Sequence, residues 1–420
     1  MRILIISLNY APEPTGIGLY SGELAQSLAE MGHDVSVIAA NPHYPYWKLF
    51  GGYGRYGWTS ASESGVRVTR CPIYIPKSAS GGKRILHYFS FLVNALIPTL
   101  WRTITDPPDV VFCVAPSLIS APLALLAARL SGATSWLHVQ DFEVEAGFAT
   151  KHMSESGKIA KLARLFEAQM IGAFDRASSI SREMCAKLVE KGRAADGVYE
   201  LRNWADISRI HPQSSSGFRE RWGIATEHVA LYSGSIGRKQ GIDLIVDVAR
   251  KMRDRNDLTF VICGNGPTRG PMEAAAQGMD NIQFHDLQPI EDLNELLNLA
   301  TIHLLPQRAD AADLVLPSKM ANMLASGRPI VAGVTTGHGL AREVEGAGLV
   351  CTPENADAMV DAIERLIDNP SSYRRYADEA ADRARKRWSR AEIIGRFAHV
   401  LGDLIAAKDT SRLKNHGQRA

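Results

Sequence analysis

Ser318 and Lys319 stand where a polar, proline-marked loop runs into a helix, within the stretch Asp313 to Gly327, DLVLPSKMANMLASG. The first turn of a helix has unpaired N–H donors and the positive end of the helix dipole, so a hydroxyl and an ammonium there can grip an anion. Gly327 suits the left-handed position that closes such a helix. A second basic pair, Arg238 and Lys239, lies in the loop from Gly234 through Gly237 to Gly241, directly after the apolar run Val229–Tyr232. Adjacent cations in a glycine loop can supply charge-assisted bonds to a diphosphate. A third loop, NYAPEPTGIG from Asn9 to Gly18, links an apolar run to a helix, and Gly16 and Gly18 allow close backbone approach to a phosphate or sugar. It is not a dinucleotide fingerprint: position 21 is Ser, and no acid stands at Ala39–Asn41.

One further cluster carries titratable groups. The apolar run Ser135–Val139 contains His138 and leads into Asp141, Glu143 and Glu145, spaced so that the acids would share one face of an extended chain. Polar groups crowding a strand's carboxyl end suit acceptor handling and proton transfer; a structural His followed by a solvated acidic loop is the alternative reading. No D-x-D pair occurs in the chain, so the carboxylates that commonly hold a divalent ion on a diphosphate are missing, and no metal site is expected.

Apolar runs of four to seven residues alternate with amphipathic stretches of ten or more, the pattern of parallel βα units. In the first half the expected strands are Ile3–Leu8, Val35–Ala40, Val66–Cys71, Val110–Val114, Ser135–Val139, Ser178–Ile180 and Val198–Leu201. The polar segment Asp206–Gly217 reads as a linker, after which the alternation restarts. The expectation is an α/β protein with two doubly wound Rossmann-like domains, 1–205 and 218–389, facing across a cleft. A helix at 390–407 would cross back, and a basic tail at 408–420 would be disordered.

The totals narrow the classes. A chain of 420 residues is too long for one ordinary core. Its 47 basic and 45 acidic side chains give no global case for nucleic acid. The window His43–Thr105 is the biased region, with eight Lys or Arg, one acid (Glu63) and twelve aromatics. Within it Ile85–Trp101 is too short and too interrupted to span a bilayer; it reads either as an interfacial helix or as an ordinary packed one. Five scattered cysteines without a C-x-x-C read as buried free thiols. Met1-Arg2 leads straight into a strand without a cleavable signal, so a cytoplasmic protein, peripheral on the inner membrane face, is expected.

Taken together, NYAPEPTGIG, HVQDFEVEAG, SISREM, SGSIGRKQG and VLPSKMANMLASG resemble the nucleotide-sugar-dependent glycosyltransferases of family 4, and within them the colanic-acid type of exopolysaccharide enzyme. The resemblance implies a GT-B fold and retaining, metal-independent transfer of a hexose, fucose from GDP-fucose, to a lipid-linked oligosaccharide. It implies donor contacts at Gly16, Gly18, Gly234, Gly237, Asp313, Ser318, Asn322 and Glu343. Acceptor contacts would come from Asn9, Tyr10 and Glu143. His138, Asp141, Arg238, Lys239 and Lys319 would form the reaction centre, with no cofactor beyond the donor itself. The chain departs from the family at Leu314 and Asn322, where two glutamates are usual, so the acidic role would pass to Asp313 or to Asn322. Ser235 and Gln240 replace the usual Arg and Lys of the second glycine loop. An NDP-sugar 2-epimerase of the same fold, or a nucleotide-sugar-binding subunit without turnover, fits the same pattern.

Overall fold

A computed structural model of the chain describes residues 1–77, 81–142, 157–237, 240–309 and 318–417. The chain divides into two compact units, Met1–Leu201 with Ile394–Ala420, and Arg202–Ile393.

The first unit is built on eight strands: β1 (Arg2–Ser7), β2 (Asp34–Ala40), β3 (Thr59–Glu63), β4 (Val66–Cys71), β5 (Val110–Ala115), β6 (Thr134–Val139), β7 (Arg176–Ser179) and β8 (Val198–Glu200). Their order is β3-β4-β2-β1-β5-β6-β7-β8, parallel except for β3 against β4. The apolar runs became strands because both sheet faces are covered, so β1, β2, β5 and β6 are buried almost end to end. β3 escaped the sequence reading because TSASE is a polar, exposed edge strand; Ser64 and Gly65, both at positive φ, make the tight turn into β4. Among the described residues, helices α1 (Gly16–Glu30), α2 (Gly81–Thr105), α3 (Ala121–Ser131), α4 (Lys158–Ala173) and α5 (Arg182–Glu190) lie against the sheet.

The second unit holds six parallel strands, β9 (His228–Ser233), β10 (Leu258–Cys263), β11 (Ile282–His285), β12 (Ile302–Pro306), β13 (Ile330–Gly333) and β14 (Gly348–Cys351), in the order β11-β10-β9-β12-β13-β14. Its helices are α6 (Asp243–Lys251), α7 (Arg269–Ala275), α8 (Leu293–Leu299), α9 (Ser318–Ala325), α10 (Gly339–Val344), α11 (Ala356–Ile367) and α12 (Pro370–Arg383). In each sheet the strand order reverses beside one strand, β1 in the first and β9 in the second, and ligands of doubly wound sheets bind at such points. The loops carrying Gly16 and Gly234 leave the sheets there.

The segment read as a linker is tied to α8. Backbone N–H groups of His211, Gln213 and Gly217 donate to Asn294, Asn298 and Glu295 (3.0, 2.7 and 2.6 Å). The last helix, α13 (Arg390–Gly417), runs past Ala407, where composition suggested a disordered tail; Leu, Lys and Arg there are good helix formers and no breaker precedes Gly417. Four of the five free cysteines are buried. Among the described residues no helix is long and apolar enough to cross a membrane.

Candidate active site

In the second unit β9 places Tyr232 one residue before the end of the strand, and the chain then enters the loop 233–237. Gly234 N–H donates to the Cys263 carbonyl (2.9 Å) and Ile236 N–H to that of Asn265 (3.0 Å). The loop is thereby zipped to a second one, Gly264-Asn265-Gly266-Pro267, that follows β10. A Cβ on Gly264 or Gly266 would run into the carbonyl of Gly234 or Ile236. The sequence reading passed over this second loop, although it repeats the signal of the first: an apolar strand ending in closely spaced glycines.

Lys319, in the first turn of α9, reaches this loop. Its Nζ lies 3.9 Å from the centre of the Tyr232 ring, and a Cβ on Gly234 would meet its Cδ at 3.5 Å and its Nζ at 3.7 Å. The Tyr232 hydroxyl donates to the Ser235 carbonyl (2.7 Å), so one residue both pins the loop and offers its ring face to the ammonium. Enclosure pushes the Lys319 amine down from 10.5 to about 7. Among the described residues no carboxylate pairs with it. A bound anion restores the charged form, which is what a phosphate would do here. Ser318 opens α9, and half-buried Asn322, three residues beyond Lys319, lies on the same helix face.

A cavity of about 410 Å³ lies beside Gly237, lined by Asp243, Asp247, Thr268, Met272 and Arg308. Arg308 is already bonded to Asp243 (2.9 Å) and Glu354 (2.7 Å). Its acids make it a poor seat for a diphosphate, so the chemistry favours the Lys319 side of the loop over this hollow. Among the described residues no group of three or more His, Cys, Asp or Glu is arranged to hold a metal ion.

In the first unit the loop after β1 is closed on itself. Glu13, 2% exposed, accepts from the backbone N–H groups of His43 and Tyr44 (2.9 Å each) and from Asn9 Nδ2 (2.8 Å). Burial pushes its carboxyl pKa up, against the pull of those bonds and of Arg70. The side chain lies where a Cβ on Gly18 would be, 2.6 Å from Glu13 Cβ. Gly18 is therefore needed to seat Glu13. Gly16 has φ +61° and only Tyr44 near its absent Cβ, at 3.9 Å. Glu13 was not singled out from the sequence; an acid between two prolines just before a glycine loop is the signal.

Four of the expected site residues are engaged within the fold instead. Tyr10, expected on the acceptor, is 3% exposed and lies under the buried Arg70, whose guanidinium is 5.1 Å from its ring centre and bonds Glu63 at 2.6 Å. Asn9, expected beside it, turns its amide onto Glu13. His138, expected in the reaction centre, sits opposite Ser178 in the β6–β7 register and contacts its hydroxyl (2.9 Å) while stacking on Phe112. Burial drives its pKa down to about 3, so it stays neutral in the core. Glu343, expected on the donor, is 4% exposed and accepts from Arg202 (2.8 Å), Arg387 (2.9 Å) and Trp388 Nε1 (3.3 Å). Both its oxygens are used in that network.

Asp141 is exposed just beyond the carboxyl end of β6. Glu143, Arg238, Lys239 and Asp313 lie outside the described residues. The second unit thus brings Gly234, Lys319, Asn322 and the opening turn of α9 together, with Gly237 at the end of the same loop. The first unit carries Asn9, Gly16, Gly18 and Asp141 at the carboxyl edge of its sheet.

Comparison with known proteins supplies the context. A family model described as glycosyl transferases group 1 matches residues 227–369, and one described as glycosyl transferase 4-like domain matches residues 15–204. The putative colanic acid biosynthesis glycosyl transferase WcaI of Escherichia coli (strain K12) is 38% identical over 401 residues, covering 91% of this chain and 97% of that protein. Sucrose-phosphate synthase from Thermosynechococcus elongatus is similar in fold, with a TM-score of 0.72 at 17% identity over 97% of this chain and 99% of that one. HepE from Anabaena, solved with UDP and glucose, gives 0.67 at 13% identity over 96% and 100%.

Proposed function

On the premise that this chain belongs to the family 4 glycosyltransferases of GT-B fold, which the match to WcaI and the two domain models establish, we propose that it transfers a hexose from a nucleoside-diphosphate sugar to a lipid-linked oligosaccharide during assembly of a colanic-acid-like exopolysaccharide. The donor is GDP-fucose, the sugar nucleotide that the colanic-acid branch implies. The single observation carrying the donor site is Lys319, an enclosed amine set against the Tyr232 ring and the Gly234 backbone with no carboxylate partner among the described residues.

Transfer breaks the bond between the sugar's anomeric carbon and the diphosphate oxygen, so negative charge grows on the leaving group in the transition state. Lys319 and the N–H groups of the first turn of α9 are positioned to stabilise that charge, and such preorganised donors act most strongly where water is excluded. Arg238 and Lys239, the basic pair that follows Gly237 in the sequence, would join them. Asp141 handles the acceptor hydroxyl from the first unit, and attack on the face the leaving group vacates retains the anomeric configuration. Cations do here what a carboxylate-held metal does in other transferases, so the reaction is metal-independent. With a lipid-linked acceptor, the enzyme works peripherally on the inner face of the membrane.

A thermal-shift panel of GDP, UDP, ADP and their common sugars, with and without EDTA, tests the donor. Selective stabilisation by GDP and GDP-fucose, unchanged by EDTA, followed by fucose transfer to membrane acceptors, is the expected result. Preference for UDP compounds would overturn the fucosyl donor, and release of a new sugar nucleotide without acceptor would make the enzyme an epimerase.

A further inference from the structure

We infer that α2, α3 and α4 form a single membrane-docking face, lying in the plane of one leaflet of an anionic bilayer. This goes beyond the basic aromatic window of the sequence, and it rests on the lipid-linked acceptor proposed above. The three helices pack on the same side of the first sheet, sharing the core around Phe91, Leu123 and Ile171. What they turn outward is unusual. Every exposed residue of α2 from Ile85 to Ile104 is apolar, including Leu86, Phe89, Ile97 and Trp101, and the stripe runs roughly 30 Å along the helix. Leu126 and Leu130 on α3 are exposed as well, as are Ile159, Leu162 and Leu165 on α4. A contiguous apolar surface of this kind marks an interaction site on a folded protein.

Charge chooses the occupant. The three helices carry seven Lys or Arg and one acid, Glu167, which is buried and bonded to Lys191 at 2.6 Å. Lys83 stands at the start of the α2 stripe, Arg129 between Leu126 and Leu130, and Lys158 and Lys161 among the α4 apolar residues. A two-fold dimer through this face would set its cations against their own copies. An anionic leaflet instead receives the apolar stripe into its acyl boundary while lysine stems reach back to the headgroups, and Trp101 suits that depth. Much of the window's own basic charge serves other ends: Arg70 is buried on Glu63, and Arg67 is paired with Asp34 and Asp106. The face therefore depends on α4, which no charge count over His43–Thr105 includes.

The test is sedimentation of the full-length protein with vesicles of phosphatidylglycerol and phosphatidylethanolamine, or of phosphatidylcholine alone. Binding is expected to the first and not the second, weakening as salt rises. The Ile97→Glu/Trp101→Glu variant should lose at least about tenfold in partitioning. Lys158→Glu/Lys161→Glu should lose roughly tenfold or more at low salt and little at high salt. Both should keep the native melting temperature and nucleotide-induced shift, a readout that tracks the donor site and fails separately if the functional reading fails. Equal binding to both vesicle types, or partitioning that neither variant changes, overturns the proposal. So does a dimer in light scattering that Ile97→Glu/Trp101→Glu dissociates, since the occupant would then be a second copy.

Discussion

The loops after β1 and β9 occupy the same place in their sheets, share a strand–glycine–helix pattern, and yet have opposite electrostatic states. The first holds its own carboxylate: Glu13 fills the space at Gly18 and is satisfied by three donors. The second is met by an ammonium from another element, Lys319 of α9, which lies 3.9 Å from the centre of the Tyr232 ring. A loop whose charged group is internally paired is a scaffold. A loop whose enclosed cation has no anion among the described residues suits an incoming one. Glycine pattern alone does not separate the two cases; the partner of the nearest charge does.

The comparison breaks first at Lys319. Lys319→Met should lower kcat by about 10²–10³, the usual cost of removing one preorganised donor, while leaving the melting temperature of the free protein unchanged or higher. An equal loss on Glu13→Gln would erase the distinction drawn between the loops.

Next comes the clasp itself. Glu13→Ala strands the N–H groups of His43 and Tyr44, and Gly18→Ala forces a methyl onto Glu13; each should cost about 1–3 kcal/mol in chemical denaturation. In a Glu13→Gly background Gly18→Ala should cost less than in the native protein, because Gly at 13 removes both the Cβ (2.6 Å) and the Oε2 (2.7 Å) that a methyl at 18 would meet. Strict additivity would mean that the Gly18–Glu13 contact does not govern this loop.

A subtler effect is pH dependence. Lys319 titrates near 7 in the folded protein against 10.5 when free. Its charge therefore penalises folding in full below about pH 7, and stability through this group rises as the pH climbs from there toward 10.5. Diphosphate binding favours the ammonium, so at pH 8 binding should take up a proton and affinity should fall with rising pH. Calorimetry in two buffers of different ionisation enthalpy measures the uptake, and Lys319→Met should abolish it. The smallest effect belongs to His138. His138→Gln should destabilise the fold yet leave kcat within about threefold, because the ring touches no reacting atom.

Strands were legible wherever burial on both sheet faces left long apolar runs, as in β5 and β10. The polar edge strand β3 gave no such signal. Lys319 and Gly234 could be singled out because helix starts and glycine loops are local marks of a candidate anion site. The surroundings of His138, Tyr10 and Glu343 were not, since each depends on a partner far along the chain: Ser178 by strand register, Arg70 by the strand order that brings β4 near β1, Arg202 across 141 residues.

By itself, then, the sequence determined two doubly wound sheets, a cation at the mouth of one and an apolar helix near its N-terminal third, because periodicity, glycine placement and charge are local properties. Only the tertiary structure decided which titratable groups stay poised. It buried His138 and Glu343 among their partners, gave Glu13 to the first loop, left Lys319 against a ring, and packed α2, α3 and α4 on one side of the first sheet with apolar residues exposed. Pairing and exposure are properties of neighbours in space, and those neighbours come from distant parts of the chain.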